Sequence, residues 1–439
     1  MEKTYFLLTL LLIVIAQYLP VDELLYKEIM GKNTLSNHIA ILISLLFASI
    51  FKINIKNQKI IEILGVILII ILINNIMAPF ASTKWLMNQT GFIFITFLAA
   101  IIYSQLSANE IASLTNSVNK IRFVTLTIIV ASSLWLVFNH FRTFTDGNFN
   151  SFIFQLMFFE WEKQSIGNFG LVVFAFILSL DSKNRTKYFN FIIFLLAFPL
   201  LIGIRTFTLA ALLVLALLLI KNRNLLLIAI PSIFMTTWFF YERIFGSGFE
   251  KFDVRALAFL NMIDIAKHYF WGVGLGGYHI YTELHSHILE SKFFWVSQYY
   301  KIFPTAPESD LVAVVASFGL FFGVLFYGFN LWIAFKLWKN YHLFDYTDRF
   351  FSIVFFTLIF SGISQDNFFT LPYWVFFGFA LGIIYSNRYT SSYNYRLRNL
   401  SFKIFIRNRY NFNTSKVQRE ITGKTVKTIS SSTTCTYPS

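Results

Sequence analysis

The stretch Ile60–Ile73, "IIEILGVILIIILI", constrains the fold of this chain more than any other feature. It carries one carboxylate near its start and is otherwise apolar on every helical face, so no polar side is left to turn toward water. Leu209–Ile220, "LAALLVLALLLI", poses the same problem. Segments of roughly 20 such residues cross the hydrocarbon core of a bilayer as helices, which satisfy their own backbone hydrogen bonds there. With 56% hydrophobic and 13% charged residues over 439 positions, the chain is expected to be an all-α polytopic membrane protein.

Twelve transmembrane helices are expected, near 5–19, 38–51, 60–77, 90–104, 121–139, 166–180, 189–204, 206–220, 224–241, 308–333, 350–363 and 371–386. The first, Tyr5–Leu19, is followed by "YLPVDELLY" instead of a small-residue cleavage site, so it reads as a retained span. The organisation expected is a block of nine spans over 1–241, one large extracytoplasmic loop containing helices over 242–307, three spans over 308–386, and a basic tail over 387–439.

The formal charge of +14 raises the question of a nucleic-acid partner, but the charges are spread over the loops between spans and the tail. Lys52, Lys56, Lys59, Lys120, Arg122, Lys183, Arg185, Lys187, Lys221, Arg223, Lys336, Lys339 and Arg349 fall on one side, and with the N-terminus and the tail that side holds 24 of the 36 Lys and Arg against 12 on the other. Basic loops stay in the cytoplasm, which predicts both termini there. The tail holds ten Lys and Arg against Glu420 alone, the pattern of an anchor on anionic lipid. The sole cysteine, Cys435, lies in that tail, so no intramolecular disulfide forms.

The long outer loop carries most of the polar chemistry, which marks it as functional. "FEKFDVRALAFLNMIDIAKHYF" has a helical period, and "GVGLGG" at 272–277 ends it. The glycines fit G-x-G-x-x-G, yet a dinucleotide site needs a strand before the motif and a βαβ unit around it. A helical pattern precedes it here, so no nucleotide cofactor is expected. Two readings remain for Gly272, Gly274, Gly276 and Gly277: close approach of the backbone to another helix, or to a ligand phosphate through bare N–H groups.

Arg205, in "LLIGIRTFTLAALL", sits between two apolar runs, where a cation needs a polar cavity or a snorkelling path to the interface. Arg255 follows Asp253 by two residues and reads either as a surface ion pair or as a bidentate phosphate ligand. Glu308 and Asp310, in "PESDLVAVVASFGLFFG", suit the first turn of a helix, or a general base. His268, His279, His285 and His287 share the loop, and no H-E-x-x-H or cysteine pair supports a metal site.

In order and topology these stretches resemble the O-antigen polymerase and ligase superfamily. "IGNFG" at 166–170, "GIRTFTLAAL" at 203–212, "DVRALAFLNMIDIAKHYFWGVGLGGY" at 253–278 and the stretch at 307–323 carry the resemblance, which covers roughly Ile166 to Tyr327. Arg205 and Arg255 take the two arginine positions. Glu308 and Ser309 stand where the ligase pattern has His and Asn, Phe259 stands in place of Trp, and the proline before the glycines is missing.

The resemblance implies a bacterial inner-membrane glycosyltransferase, free of metal and cofactor, acting on undecaprenyl-diphosphate-linked oligosaccharide. A growing glycan would leave its lipid diphosphate and join the non-reducing end of a new repeat. Arg205 and Arg255 would stabilise the diphosphate, and Glu308 or Asp310 would take the acceptor proton. The glycines, with His279 just after them, would bind substrate. Membrane lipids, a chain-length regulator and a flippase would be the partners. The alternatives are an O-antigen ligase, which the loss of the ligase-type His disfavours, and a lipid-oligosaccharide transporter, which would carry charges deep within its spans.

Overall fold

The computed structural model describes residues 2–17, 34–50, 57–145, 170–180, 210–216, 254–290, 309–362, 368–386 and 388. Helices make up the regular structure among them, and none of the described residues forms a strand. In chain order these are α1 (Glu2–Gln17), α2 (Thr34–Ile50), α3 (Gln58–Met77), α4 (Thr83–Ser104), α5 (Ala108–Thr145), α6 (Val254–His268), α7 (Gly277–Glu290), α8 (Asp310–Asn340), α9 (Tyr346–Ser361) and α10 (Leu371–Ile384). Shorter helical pieces cover 170–178 and 210–216. The expected spans at 189–204 and 224–241, and most of 206–220, lie outside the described residues.

Three described helices are long and apolar enough to cross a membrane: Gln58–Met77, Thr83–Ser104 and Asp310–Leu343. In α3 the residues Ile60, Leu64, Ile67, Ile71 and Asn74 are buried in steps of three and four. The opposite face exposes Val66, Ile69, Ile73 and Ile76. A helix with a packed stripe and an equally apolar outer face suits lipid on that face. One difference from the expected loops appears. Ser107 and Glu110 form a reciprocal capping box, with Ser107 N donating to Glu110 Oε2 at 2.8 Å and Glu110 N donating to Ser107 Oγ at 3.3 Å. Helix α5 therefore starts there and runs through Lys120 and Arg122, which were expected in a loop; Arg122 lies 5.9 Å over the Tyr346 ring.

Against α4 packs α10. Gly378 and Gly382, spaced as in small-xxx-small contacts, let the backbones close up; a Cβ at Gly378 would stand 2.8 Å from the Thr96 carbonyl. Thr96 Oγ1 donates to the Trp374 carbonyl at 2.9 Å, at the centre of that contact. One end of the bundle is tied by Tyr103, whose hydroxyl donates to Asp348 Oδ1 at 2.6 Å, while Asp345 caps α9 by accepting from Asp348 N.

At the opposite end α8 departs from a straight span. Gly319, with φ 77 and ψ 167, breaks it into residues 310–318 and 320–340. A Cβ on Gly323 would lie 2.7 Å from Val315 Cα. Eight residues of unbroken helix would separate these positions by about 12 Å, so the nine-residue piece folds back along the longer one. Residues 320–340 alone are about 31 Å long, enough for a bilayer. Helices α9 and α10 measure only about 24 and 21 Å, so they end short of it.

The chain divides into two units, Met1–Tyr385 and Ser386–Ser439. In the second, Arg388 Nε donates to Ser386 Oγ at 2.9 Å.

Candidate functional site

The fold-back places Asp310 over the ends of the two short helices. Gly362, just past α9, has a carbonyl that accepts from Asp310 N at 2.7 Å, and Phe368 N, ahead of α10, donates to Asp310 Oδ1 at 2.6 Å. Helix ends leave unpaired backbone groups, and one aspartate here satisfies an acceptor from one helix and a donor from the next. Asp310 is 4% exposed. Nearby, Tyr373 donates to Asn330 Oδ1 at 2.6 Å across α8 and α10. The carboxylate expected as a helix cap or a base therefore acts as a joint between three helices. Glu308 and Arg205 lie outside the described residues.

Around this joint sit α6 and α7, a helix pair joined by a tip at 269–276. Ala258, Met262 and Ile265 of α6 pack with Val312, Val315 and Ala316 of the folded-back piece. The tip is stitched down through its backbone. Val273 N donates to the Ala316 carbonyl at 2.8 Å and Gly274 N to the Ser317 carbonyl at 3.1 Å, two acceptors available because Gly319 ends the helix there. Ser82 N donates to the Leu275 carbonyl at 2.9 Å, and Asn74 Nδ2 to that of Trp271.

This geometry gives the glycines close neighbours within the protein. Gly272, Gly274 and Gly276 have φ of 73, 85 and 74. A Cβ on Gly272 would meet the Ala316 carbonyl at 2.5 Å, one on Gly274 would meet Ala81 at 2.7 Å, and one on Gly276 would run into the Trp85 ring. Gly277 N donates to the Gly274 carbonyl, and a Cβ there would stand 3.1 Å from Phe80. The close approach is to α8, α4 and the 78–82 connection between α3 and α4, and the donors at 272, 273, 274 and 277 are used within the protein. His279 is half-buried in the first turn of α7.

Arg255 lies in the first turn of α6, with the glycine tip beyond its last. That is about 20 Å of helix, beyond the reach of one guanidinium. The arginine and the glycines are not brought to a common point.

Sequence reasoning passed over a cluster that the hairpin assembles. Asp264 Oδ2 accepts from the Tyr281 hydroxyl of α7, and Asp264 Oδ1 lies 3.4 Å from His268 Nδ1, which is also 3.0 Å from the Asp264 carbonyl. Burial, followed by the bond to Asp264 and its charge, raises the Tyr281 phenol well above its usual range. The i, i+4 spacing of Asp264 and His268 is legible in sequence; the tyrosine from the next helix is not.

Beside the tip, α3 and the longer piece of α8 enclose an apolar groove of about 340 Å³, lined by Ile67, Ile71, Phe318, Phe322, Phe326 and Phe368 among others. Trp271 of the tip stacks on Phe322 at 5.4 Å. No cluster of His, Cys, Asp or Glu fit to hold a metal occurs among the described residues. The sequence matches no protein-family model and no curated protein.

Proposed function

We propose that the protein polymerises lipid-linked oligosaccharide repeat units at the outer face of a bacterial inner membrane, with both termini cytoplasmic. One observation supports this most: the tip of a polar hairpin is docked into the membrane bundle directly beside an apolar groove, through the Trp271–Phe322 stack. An enzyme acting on the head group of a long-chain lipid needs polar chemistry adjoining a hydrocarbon slot. The reaction is glycosyl transfer with a lipid diphosphate as leaving group, so its donor is already activated and no nucleotide is required.

The reaction has two lipid-linked substrates and therefore two diphosphates. Arg205 is assigned to the leaving diphosphate, where it would stabilise developing charge. Arg255, a helix length away from the tip, is assigned to the diphosphate of the acceptor lipid, whose reacting hydroxyl lies at the far end of its oligosaccharide. The glycines and His279 shape and anchor the tip on which the acceptor rests. Of the two carboxylates first considered as base, Asp310 is assigned to holding the helix ends.

The broken α8, with an acid at the foot of its short piece, favours a second reading as a transporter of the same lipid-linked units, because broken helices build transporter sites. Surface-glycan ladders from cells lacking the gene separate the readings. Complementation with wild type should restore a ladder from a single repeat, and Arg205→Ala and Arg255→Ala should not, at equal expression. Polymer accumulating on the carrier lipid would indicate a ligase, and repeats held on the cytoplasmic face a transporter.

A further inference from the structure

We propose that His268 is the general base that deprotonates the acceptor hydroxyl, with Asp264 as its positioning residue; this rests on the polymerase reading. A carbonyl oxygen only accepts, so His268 Nδ1, 3.0 Å from the Asp264 carbonyl, must carry the proton of the neutral ring. The lone pair is then on Nε2, the tautomer a base requires. The Asp264 carboxylate, 3.4 Å from the same Nδ1, helps to hold the ring in this orientation. Asp264 is itself held by the Tyr281 hydroxyl from α7, so the pair is fixed by the hairpin and not by α6 alone. The His268 side chain is 65% exposed, whereas Asp310 is 4% exposed and engaged with the Phe368 amide. His268 also immediately precedes the tip that abuts the groove, where the head group of a lipid seated there would emerge.

In the step assigned, the acceptor O–H bond breaks and its proton passes to Nε2. The oxygen bonds to the anomeric carbon of the donor sugar as that carbon's bond to the diphosphate oxygen breaks. The diphosphate leaves with the electron pair, and the imidazolium returns its proton to water.

The test uses membranes from cells lacking the gene, which hold their own lipid-linked repeat unit, supplied with purified full-length protein. Wild type should make polymer. His268→Ala and His268→Gln should lower kcat about 100-fold or more with little change in KM, the scale of a lost general base. Added imidazole should restore His268→Ala at least tenfold and leave His268→Gln unchanged, which loss of folding would not produce. Asp264→Asn should lower kcat less than His268→Ala and gain nothing from imidazole. Full activity in both His268 variants, or loss in both without imidazole rescue of the alanine variant, overturns the assignment while the polymerase reading stands. Absence of polymer with wild type overturns that reading, and the base assignment with it.

Discussion

Gly319→Ala probes the single corner that seats α6, α7 and the tip between them on the helix bundle. With φ 77 and ψ 167, Gly319 occupies a region that a side chain adopts only at a cost of about 1–3 kcal/mol. The added methyl would also run into the Phe270 carbonyl. Relief requires the tip to withdraw, which breaks the bonds from Val273 N to Ala316 and from Gly274 N to Ser317, each worth about 1 kcal/mol. Together these effects amount to about 3–5 kcal/mol, a large fraction of the roughly 5–15 kcal/mol that stabilises a folded domain. Gly65→Ala is the matched control. It lies within α3 with no atom within 4 Å of a built Cβ, so it should be neutral or stabilising by about 0.5–1 kcal/mol. The assay is the apparent Tm of the detergent-solubilised chain, followed by fluorescence-detected size exclusion after heating. Gly319→Ala should melt several degrees below wild type and Gly65→Ala at or above it. If Gly319→Ala melts with wild type, the corner does not seat the tip.

Other substitutions probe separate parts of the structure. Gln89 is fully buried on α4 and both its amide atoms lack partners among the described residues, so Gln89→Leu should raise the apparent Tm by an amount equivalent to about 1–3 kcal/mol. Tyr103→Phe removes the donor to Asp348 at the other end of the bundle and should cost about 1–3 kcal/mol, read as a fall in the same melt. The Tyr281 phenol is raised in the folded state above its ordinary value of about 10, so its proton stays on when the unfolded chain has lost its own. That stability is fully present below pH 10 and is lost as pH rises from there toward the folded-state value; Tyr281→Phe should flatten this alkaline decline in a pH series of melts.

The sequence legibly announced helices, because lipid leaves the backbone no other partner and because runs such as Ile60–Ile73 have no polar face to spare. The positions of the glycine cluster and of the outer loop's polar residues could also be read from it. Where helix α5 begins was written locally as well, in Ser107 and Glu110, although the basic residues downstream suggested a loop. The purpose of the glycines was not legible. Their meaning depends on Ala316, Ser317, Ala81 and Trp85, which are remote in the chain and become neighbours only after folding.

Likewise, "SFGLFFG" gives no local sign that Gly319 reverses the helix, since glycine is tolerated in membrane helices and the apolar pattern runs on unbroken. That reversal decided the role of Asp310. By sequence it stands at the start of a span; in three dimensions it closes the ends of two short helices. A carboxylate's chemistry is set by which donors reach it, and the Phe368 amide reaches Asp310 from 58 positions away. The same holds for Asp264, whose tyrosine partner comes from the next helix. Composition and periodicity are sums over neighbours in the chain, so they determined the class of fold; pairings across space, which depend on where the chain turns back, were decided by the tertiary structure alone.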